Sequence, residues 1–110
     1  LSDRAKDMII RGGENIYPAE IEAVLCEHPA VQEVAAFGIE DEKLGEKVVV
    51  VVVPKSGASL AEEALKNFAS QHLAAFKMPS RLIIVEESLP RNPAGKVLKH
   101  LLKETHDTNL

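Results

Sequence analysis

The feature that most constrains this fold is the stretch KVVVVVVP at residues 47–54, in which six valines follow one another without interruption. Valine is stiff at its branched Cβ and favours extended backbone. A strand without alternating polar residues is typical of a position where both faces are buried, whereas on an exposed sheet edge it would promote aggregation. The sequence therefore predicts a strand that lies in the centre of a sheet and is buried on both faces.

The segments around this strand predict an α+β fold. In order, the predicted elements are two short strands around the Gly12–Gly13 pair, a helix at 18–28, strands at 30–39 and 47–54, a helix at 59–76, a strand at 80–90 and a helix at 96–104. Ser59 and Glu62 have the spacing of a capping box. We expect a small mixed or antiparallel sheet that begins with a short N-terminal β-hairpin, with about three helices packed on it.

Composition narrows the class of function. A chain of 110 residues forms one domain, and its net charge of −4 with 4% aromatic residues argues against a nucleic-acid partner. No apolar run is long enough to predict a transmembrane segment. Because Cys26 is the single cysteine, we expect a reducing compartment and a cytoplasmic location. The start at Leu1, without a signal-peptide pattern, indicates a piece of a longer protein.

The loop PRNPAGK at residues 90–96 is the first candidate site. A Walker A phosphate loop would have glycine at position 90 and serine or threonine at position 97, but this chain has Pro90 and Val97. The two prolines restrict the backbone and lower the entropy cost of holding Lys96 in one geometry. Two interpretations remain open: a cation placed to meet an anion, or a stiff connection that carries a solvated lysine.

The other candidates also have two interpretations each. Gly12 and Gly13 fit close backbone approach by a ligand or simply a hairpin turn. Arg4 and Lys6 fit phosphate or ribose binding or a solvated terminus. The histidines lack metal-ligand spacing, and the serines lack a nucleophile-elbow pattern, so we predict no metal site and no Ser/His hydrolase site.

Three segments in this order resemble the C-terminal domain of the acyl-CoA synthetases. They are DRAKDMIIRGGENIYPAEIE, GIEDEKLGEKVVVVVVP and LAAFKMPSRLIIVEESLPRNPAGKVLK. These enzymes belong to the adenylate-forming superfamily, which includes firefly luciferase and the adenylation domains of peptide synthetases. The resemblance covers residues 2 to about 103. It implies a mobile C-terminal domain at 1–106 with a hinge near residue 6, a loose tail at 107–110, and a large N-terminal catalytic domain outside this chain.

The resemblance implies a two-step ligase reaction. ATP and a fatty or other carboxylic acid give an acyl-adenylate and pyrophosphate, and coenzyme A then displaces AMP to form a thioester after the small domain rotates. The implied partners are the N-terminal domain, the acid, ATP and coenzyme A, with Mg²⁺ expected in the N-terminal domain. Alternatives are an adenylation domain that loads the phosphopantetheine of a carrier protein, and a non-catalytic interaction module that keeps the fold. We expect the chain alone to be inactive.

The resemblance also implies roles for individual residues. Lys96 matches the lysine that reaches into the adenylation site, and Arg4 matches the arginine near the nucleotide. Lys6 matches the hinge, and Gly13 matches the glycine beside the pantetheine path. Gly12, Arg11 and Asn15 adjoin that path and are the further candidates for contact with coenzyme A. This sequence departs from the family pattern at two positions, Glu40 and Lys99.

Overall fold

The computed structural model describes residues 8–106, so the predictions for Arg4, Lys6 and the tail at 107–110 lie outside the described residues. The strands are β1 (Ile9–Arg11), β2 (Glu14–Ile16), β3 (Val31–Asp41), β4 (Gly45–Pro54) and β5 (Arg81–Ile84). The helices are α1 (Pro18–Cys26), α2 (Glu62–Ser70) and α3 (Lys99–His106), with a 3₁₀ turn at Ala75–Lys77. The order β-β-α-β-β-α-β-α is the predicted one, which confirms the α+β class.

The valine strand β4 is the central strand of the sheet. Its neighbours are β3 along one edge, and β1 and β5 along the other, within a sheet of order β2-β1-β4-β3 with β5 beside β4. The β3–β4 pair is antiparallel and long, from Val31 opposite Pro54 to Asp41 opposite Gly45. The β4–β5 pair is parallel. The sheet is therefore mixed, with an N-terminal hairpin at one side.

Alternate valines of β4 enter two different cores. Val48, Val50 and Val52 lie in a cluster with residues of α1 and α2, including Ile21 and Leu65. The valines at 49, 51 and 53 lie in a second cluster on the opposite face, together with a leucine of α3 and a leucine of the preceding loop. All six valines are 5% exposed or less. The prediction of a strand buried on both faces is confirmed, and helices cover each face.

Element ends differ from the sequence prediction. Helix α2 begins at Glu62, and Ala61 before it is extended and supplies no side-chain cap, so the capping box predicted from Ser59 is wrong. The strand predicted at 80–90 covers only Arg81–Ile84, because the parallel pairing with β4 ends there. Helix α3 begins at Lys99. Within residues 8–106, no helix combines the length and apolar character needed to cross a membrane.

Candidate functional site

The PRNPAGK loop folds into a tight turn between β5 and α3. The N–H of Gly95 donates to the carbonyl of Asn92 at 2.9 Å, which closes a four-residue turn around Pro93 and Ala94. Asparagine at the first position, proline at the second and glycine at the fourth are the residues that a β-turn of type I prefers. Gly95 has φ +89°, a conformation that side-chain-bearing residues rarely adopt.

Lys96 follows this turn and has both of its backbone groups bound by one residue. Its N–H donates to the side-chain Oδ1 of Asn92 at 2.9 Å, and its carbonyl accepts from the N–H of Asn92 at 2.9 Å. Next to Asn92 and Lys96, Arg91 and Val97 form an isolated antiparallel β-bridge. Lys96 is an exposed residue, so the loop presents a lysine at the surface from a fixed backbone.

Arg91 makes a further connection to the same turn. Its guanidinium donates to the carbonyl of Gly95 at 2.7 Å and to the carboxylate of Glu33, near the start of β3, at 2.9 Å. Arg91 and Glu33 were not among the sequence candidates. The local turn signature predicts the role of Asn92, but no local pattern indicates an ion pair between residues 58 positions apart.

The Gly12–Gly13 pair forms the tip of the β1–β2 hairpin. Their φ angles of +57° and +85° match the two central positions of a type I′ turn. The N–H of Gly12 donates to the carbonyl of Leu44 at 2.7 Å, which joins the tip to the β3–β4 turn. A Cβ at Gly13 would have no atom within 4 Å. The tip is thus a hairpin turn, and it leaves open space beside Gly13.

Arg11 and Asn15, the neighbours of the tip, differ in their surroundings. The Nη1 of Arg11 donates to the carbonyl of Phe76 at 3.3 Å, and its buried Nε has no hydrogen-bond partner. Arg11 therefore connects the hairpin to the 3₁₀ turn. Asn15 is exposed and pairs with Ile10 across the hairpin.

The two candidate regions lie at opposite ends of the long β3–β4 ladder. The Lys96 loop is attached through Arg91 at Glu33. The glycine tip lies beside the other end, where Arg11 pairs with Gly45. A strand rises about 3.3 Å per residue, so the stretch from Glu33 to Asp41 separates these ends by about 25 Å. The structure does not bring Lys96 and Gly13 into one site.

The surroundings of two histidines and of the cysteine affect whether these side chains could be reactive. The ring of His28 packs edge-on against Phe68 with centroids 5.1 Å apart, and its Nδ1 accepts from the N–H of Ala30. Partial burial, with a smaller effect from Arg81, lowers the pKa of His106. Partial burial, with a smaller effect from Glu22, raises the pKa of Cys26 and keeps it a thiol. Among residues 8–106 there is no group of three or more His, Cys, Asp or Glu side chains placed to hold a metal ion.

Fold and site together define a class of protein: a small α+β domain that displays a fixed lysine loop at one end and a glycine hairpin at the other. The chain belongs to the AMP-binding enzyme C-terminal domain family, whose match covers residues 20–96. This agrees with the family that the three sequence segments resemble.

Three relatives of this chain are named as CoA ligases. A 2-succinylbenzoate–CoA ligase of a Geobacillus strain is 49% identical over 107 residues, which is 97% of this chain and 22% of that protein. The long-chain-fatty-acid–CoA ligase FadD13 of Mycobacterium tuberculosis is 44% identical over 110 residues, all of this chain and 22% of that protein. An oxalate–CoA ligase of Arabidopsis thaliana is 42% identical over 94% of this chain and 20% of its own length.

Solved structures show the same fold. The apo structure of MatB from Rhodopseudomonas palustris superposes with a TM-score of 0.90 at 42% identity, over 96% of this chain and 21% of that one. A fatty acyl CoA synthetase of Mycobacterium tuberculosis superposes with a TM-score of 0.85 at 44% identity, over 94% of this chain and 20% of that one. The chain thus spans about a fifth of the length of these relatives.

Proposed function

We propose that this chain is the mobile C-terminal domain of a larger, AMP-forming carboxylic acid:CoA ligase, in which Lys96 acts in adenylate formation. The observation that carries the proposal is the Lys96 loop, where Asn92 binds both backbone groups of an exposed lysine. In adenylate formation, a carboxylate oxygen attacks the α-phosphorus of ATP, the bond to the β-phosphate oxygen breaks, and pyrophosphate leaves with the electron pair. The attacking carboxylate and the α-phosphate are both negative. A fixed ammonium that contacts both lowers their repulsion and stabilises the charge of the transition state.

The second half-reaction is assigned to the hairpin tip. In it the thiol of coenzyme A attacks the acyl carbonyl and AMP leaves with its electron pair. We place the pantetheine arm of coenzyme A beside Gly13, and the proposal is supported by the open space there, since a Cβ at Gly13 would have no atom within 4 Å. Asn15 is exposed beside the tip and is a candidate contact for coenzyme A. Gly12 and Arg11 hold the tip through Leu44 and Phe76.

The separation of the two regions supports rotation of the domain between the steps. Lys96 and Gly13 lie near opposite ends of the β3–β4 ladder, with about 25 Å between Glu33 and Asp41, a distance that prevents both from reaching one reacting centre together. A rigid domain that turns about a hinge presents each end in sequence. We assign the hinge to Lys6 and nucleotide contact to Arg4, both in the part of the chain before residue 8.

The names of the relatives indicate which part of the chemistry this domain serves. Ligases named for acids as different as oxalate and long-chain fatty acids are 42% and 44% identical to this chain. A domain shared so closely across such acids acts on what these reactions have in common, ATP and coenzyme A. Selection of the acid, and the Mg²⁺ that accompanies ATP, we assign to the rest of the ligase.

The test is Lys96→Ala in a full-length ligase that carries this domain. We expect adenylate formation from acid and ATP to fall by about 10²-fold or more, the scale for loss of one electrostatic donor to a transition state. Thioester formation from supplied acyl-adenylate and coenzyme A should continue near the wild-type rate. The two half-reactions are measured separately, by pyrophosphate release and by loss of the free thiol.

Three results would contradict the proposal. Normal adenylation by Lys96→Ala, in a protein that remains folded, would leave the loop as a connector only. A thioester product formed only with a phosphopantetheine-loaded carrier protein, and not with free coenzyme A, would favour the carrier-loading alternative. No activity in any full-length protein with this domain would favour the interaction module.

A further inference from the structure

Arg91 connects the Lys96 turn to the edge strand β3 through an ion pair. The guanidinium donates at 2.9 Å to Glu33 and at 2.7 Å to the carbonyl of Gly95, the residue directly before Lys96. Glu33 itself is well packed, with 14% of its side chain exposed. The turn is therefore attached to a rigid strand at the residue that precedes the proposed catalytic lysine.

We propose that Arg91 and Glu33 are positioning residues for Lys96, and that their ion pair fixes the direction in which the turn presents the lysine. This inference rests on the role proposed for Lys96. Hydrogen bonds within the turn define its internal shape, and Leu89 and Val97 on either side of it pack against the second core. Arg91 adds a direct connection between the turn and β3, because one planar guanidinium reaches a strand carboxylate and a turn carbonyl at the same time.

Because the Arg91–Glu33 pair is partly exposed, its effect on the position of Lys96 can be measured apart from its effect on folding stability. The Arg91 side chain is 44% exposed, and ion pairs at such positions contribute at most about 1 kcal/mol to folding. Loss of the pair should therefore leave the domain folded. By contrast, misplacement of a catalytic group by about 1 Å can lower the rate by about 10²-fold. Loss of the Arg91–Glu33 ion pair, called the clamp below, should thus change the dynamics of the turn and the rate of adenylation.

The first measurement is made on this chain by ¹⁵N relaxation. For the Gly95 and Lys96 amides we expect order parameters of about 0.85 in the wild type and below about 0.6 in Arg91→Ala, the values of rigid and flexible backbone. Arg91→Lys keeps the charge but not the planar fork, and Glu33→Gln keeps an acceptor without charge, so both should give intermediate values. Lys66→Gln is the matched control, since it removes another exposed ion pair, with Glu62 at 3.0 Å, that lies on α2.

The second measurement uses the same variants in a full-length ligase. We expect Arg91→Ala to lower kcat for adenylation by about 10-fold to 10²-fold, with KM for ATP and the thioester step little changed, and Arg91→Lys to recover part of the rate. Unchanged order parameters in Arg91→Ala, or an equal change in Lys66→Gln, would overturn the clamp. A loosened turn with normal adenylation would overturn its role in positioning.

These outcomes are distinct from failure of the proposed function. If Lys96→Ala abolishes adenylation and Arg91→Ala does not slow it, the function stands and only the clamp is wrong. If Lys96→Ala adenylates normally, the function itself is wrong, whatever the turn does in Arg91→Ala.

Discussion

The two glycine positions of the hairpin tip differ in how well they would accept a side chain. Gly12 has φ +57°, and a Cβ there would be in ordinary contact with Leu44 at 3.6 Å. Gly13 has φ +85° with no neighbour within 4 Å. Asparagine is common at the first central position of a type I′ turn, followed by glycine at the second. The tip should thus accept a side chain at residue 12 and resist one at residue 13.

We expect Gly13→Ala to lower the free energy of unfolding of this chain by about 1–2 kcal/mol, the cost of a left-handed conformation for an L-residue. Gly12→Asn should change it by no more than about 0.5 kcal/mol. Urea denaturation followed by circular dichroism measures both. Equal losses in the two variants would mean that positive φ strains asparagine at residue 12 as much as alanine at residue 13, against the difference expected here.

Of the candidate site, the sequence predicts the residues that act through local conformation. The glycine turn follows from positive-φ requirements, and the stiffness of the Lys96 loop is predicted from its two prolines, to which the structure adds the turn residues Asn92 and Gly95. The contacts of Arg11 with Phe76 and of Arg91 with Glu33 join residues 65 and 58 positions apart. Such contacts depend on how strands and turns are placed in three dimensions, so no local pattern predicts them.

Strand β4 is the element on which both cores depend. Because Val50 and Val51 belong to different clusters and are both 0% exposed, each face excludes water at the same point of the strand. A threonine at either position has nearly the shape of valine but places a hydroxyl where it has no water. The cost of such a buried, unpaired hydroxyl is about 1–3 kcal/mol.

We therefore expect Val50→Thr and Val51→Thr each to lower the free energy of unfolding by about 1–3 kcal/mol. Lys55→Thr, at an exposed residue just after the strand, is the control and should change it by less than about 0.5 kcal/mol. Thermal and urea unfolding of this chain give the values. A neutral result at one of the two valines would mean that one face of β4 is wet.

The elements were predicted more reliably than their ends. Helix α1 lies within the predicted range and buries Ile21 and Leu25, four residues apart on one face. In α3, by contrast, Leu102 is buried but Leu101 is 38% exposed. The start of α2 was misplaced because Ser59 has a capping pattern in the sequence, whereas the chain stays extended to Ala61. Tertiary packing, which a local pattern does not contain, decides these ends.

As a whole, the chain has the dimensions of an independent domain. Its radius of gyration is 13.4 Å, close to the value of about 13 Å for a folded domain of this length. Two cores share β4, so unfolding of one face removes the support of the other. A central strand shared by both cores is consistent with the proposed rotation, in which the domain would move as a single body.

Exchange of the whole domain tests whether it serves the shared chemistry. In a chimera, this chain replaces the matching C-terminal part of FadD13, which is 44% identical over all 110 residues. We expect adenylation within about 10²-fold of the parent rate, the cost of a misfit of about 1 Å, and no change in the order of preference among acids. Competition between acids of different length measures that order, and the chimera with Lys96→Ala shows whether the activity depends on the grafted lysine. A new order of preference among acids would place acid selection in this domain and contradict its assignment to the rest of the ligase. A retained order, with activity lost in the Lys96→Ala chimera, would assign the reaction with ATP to this domain.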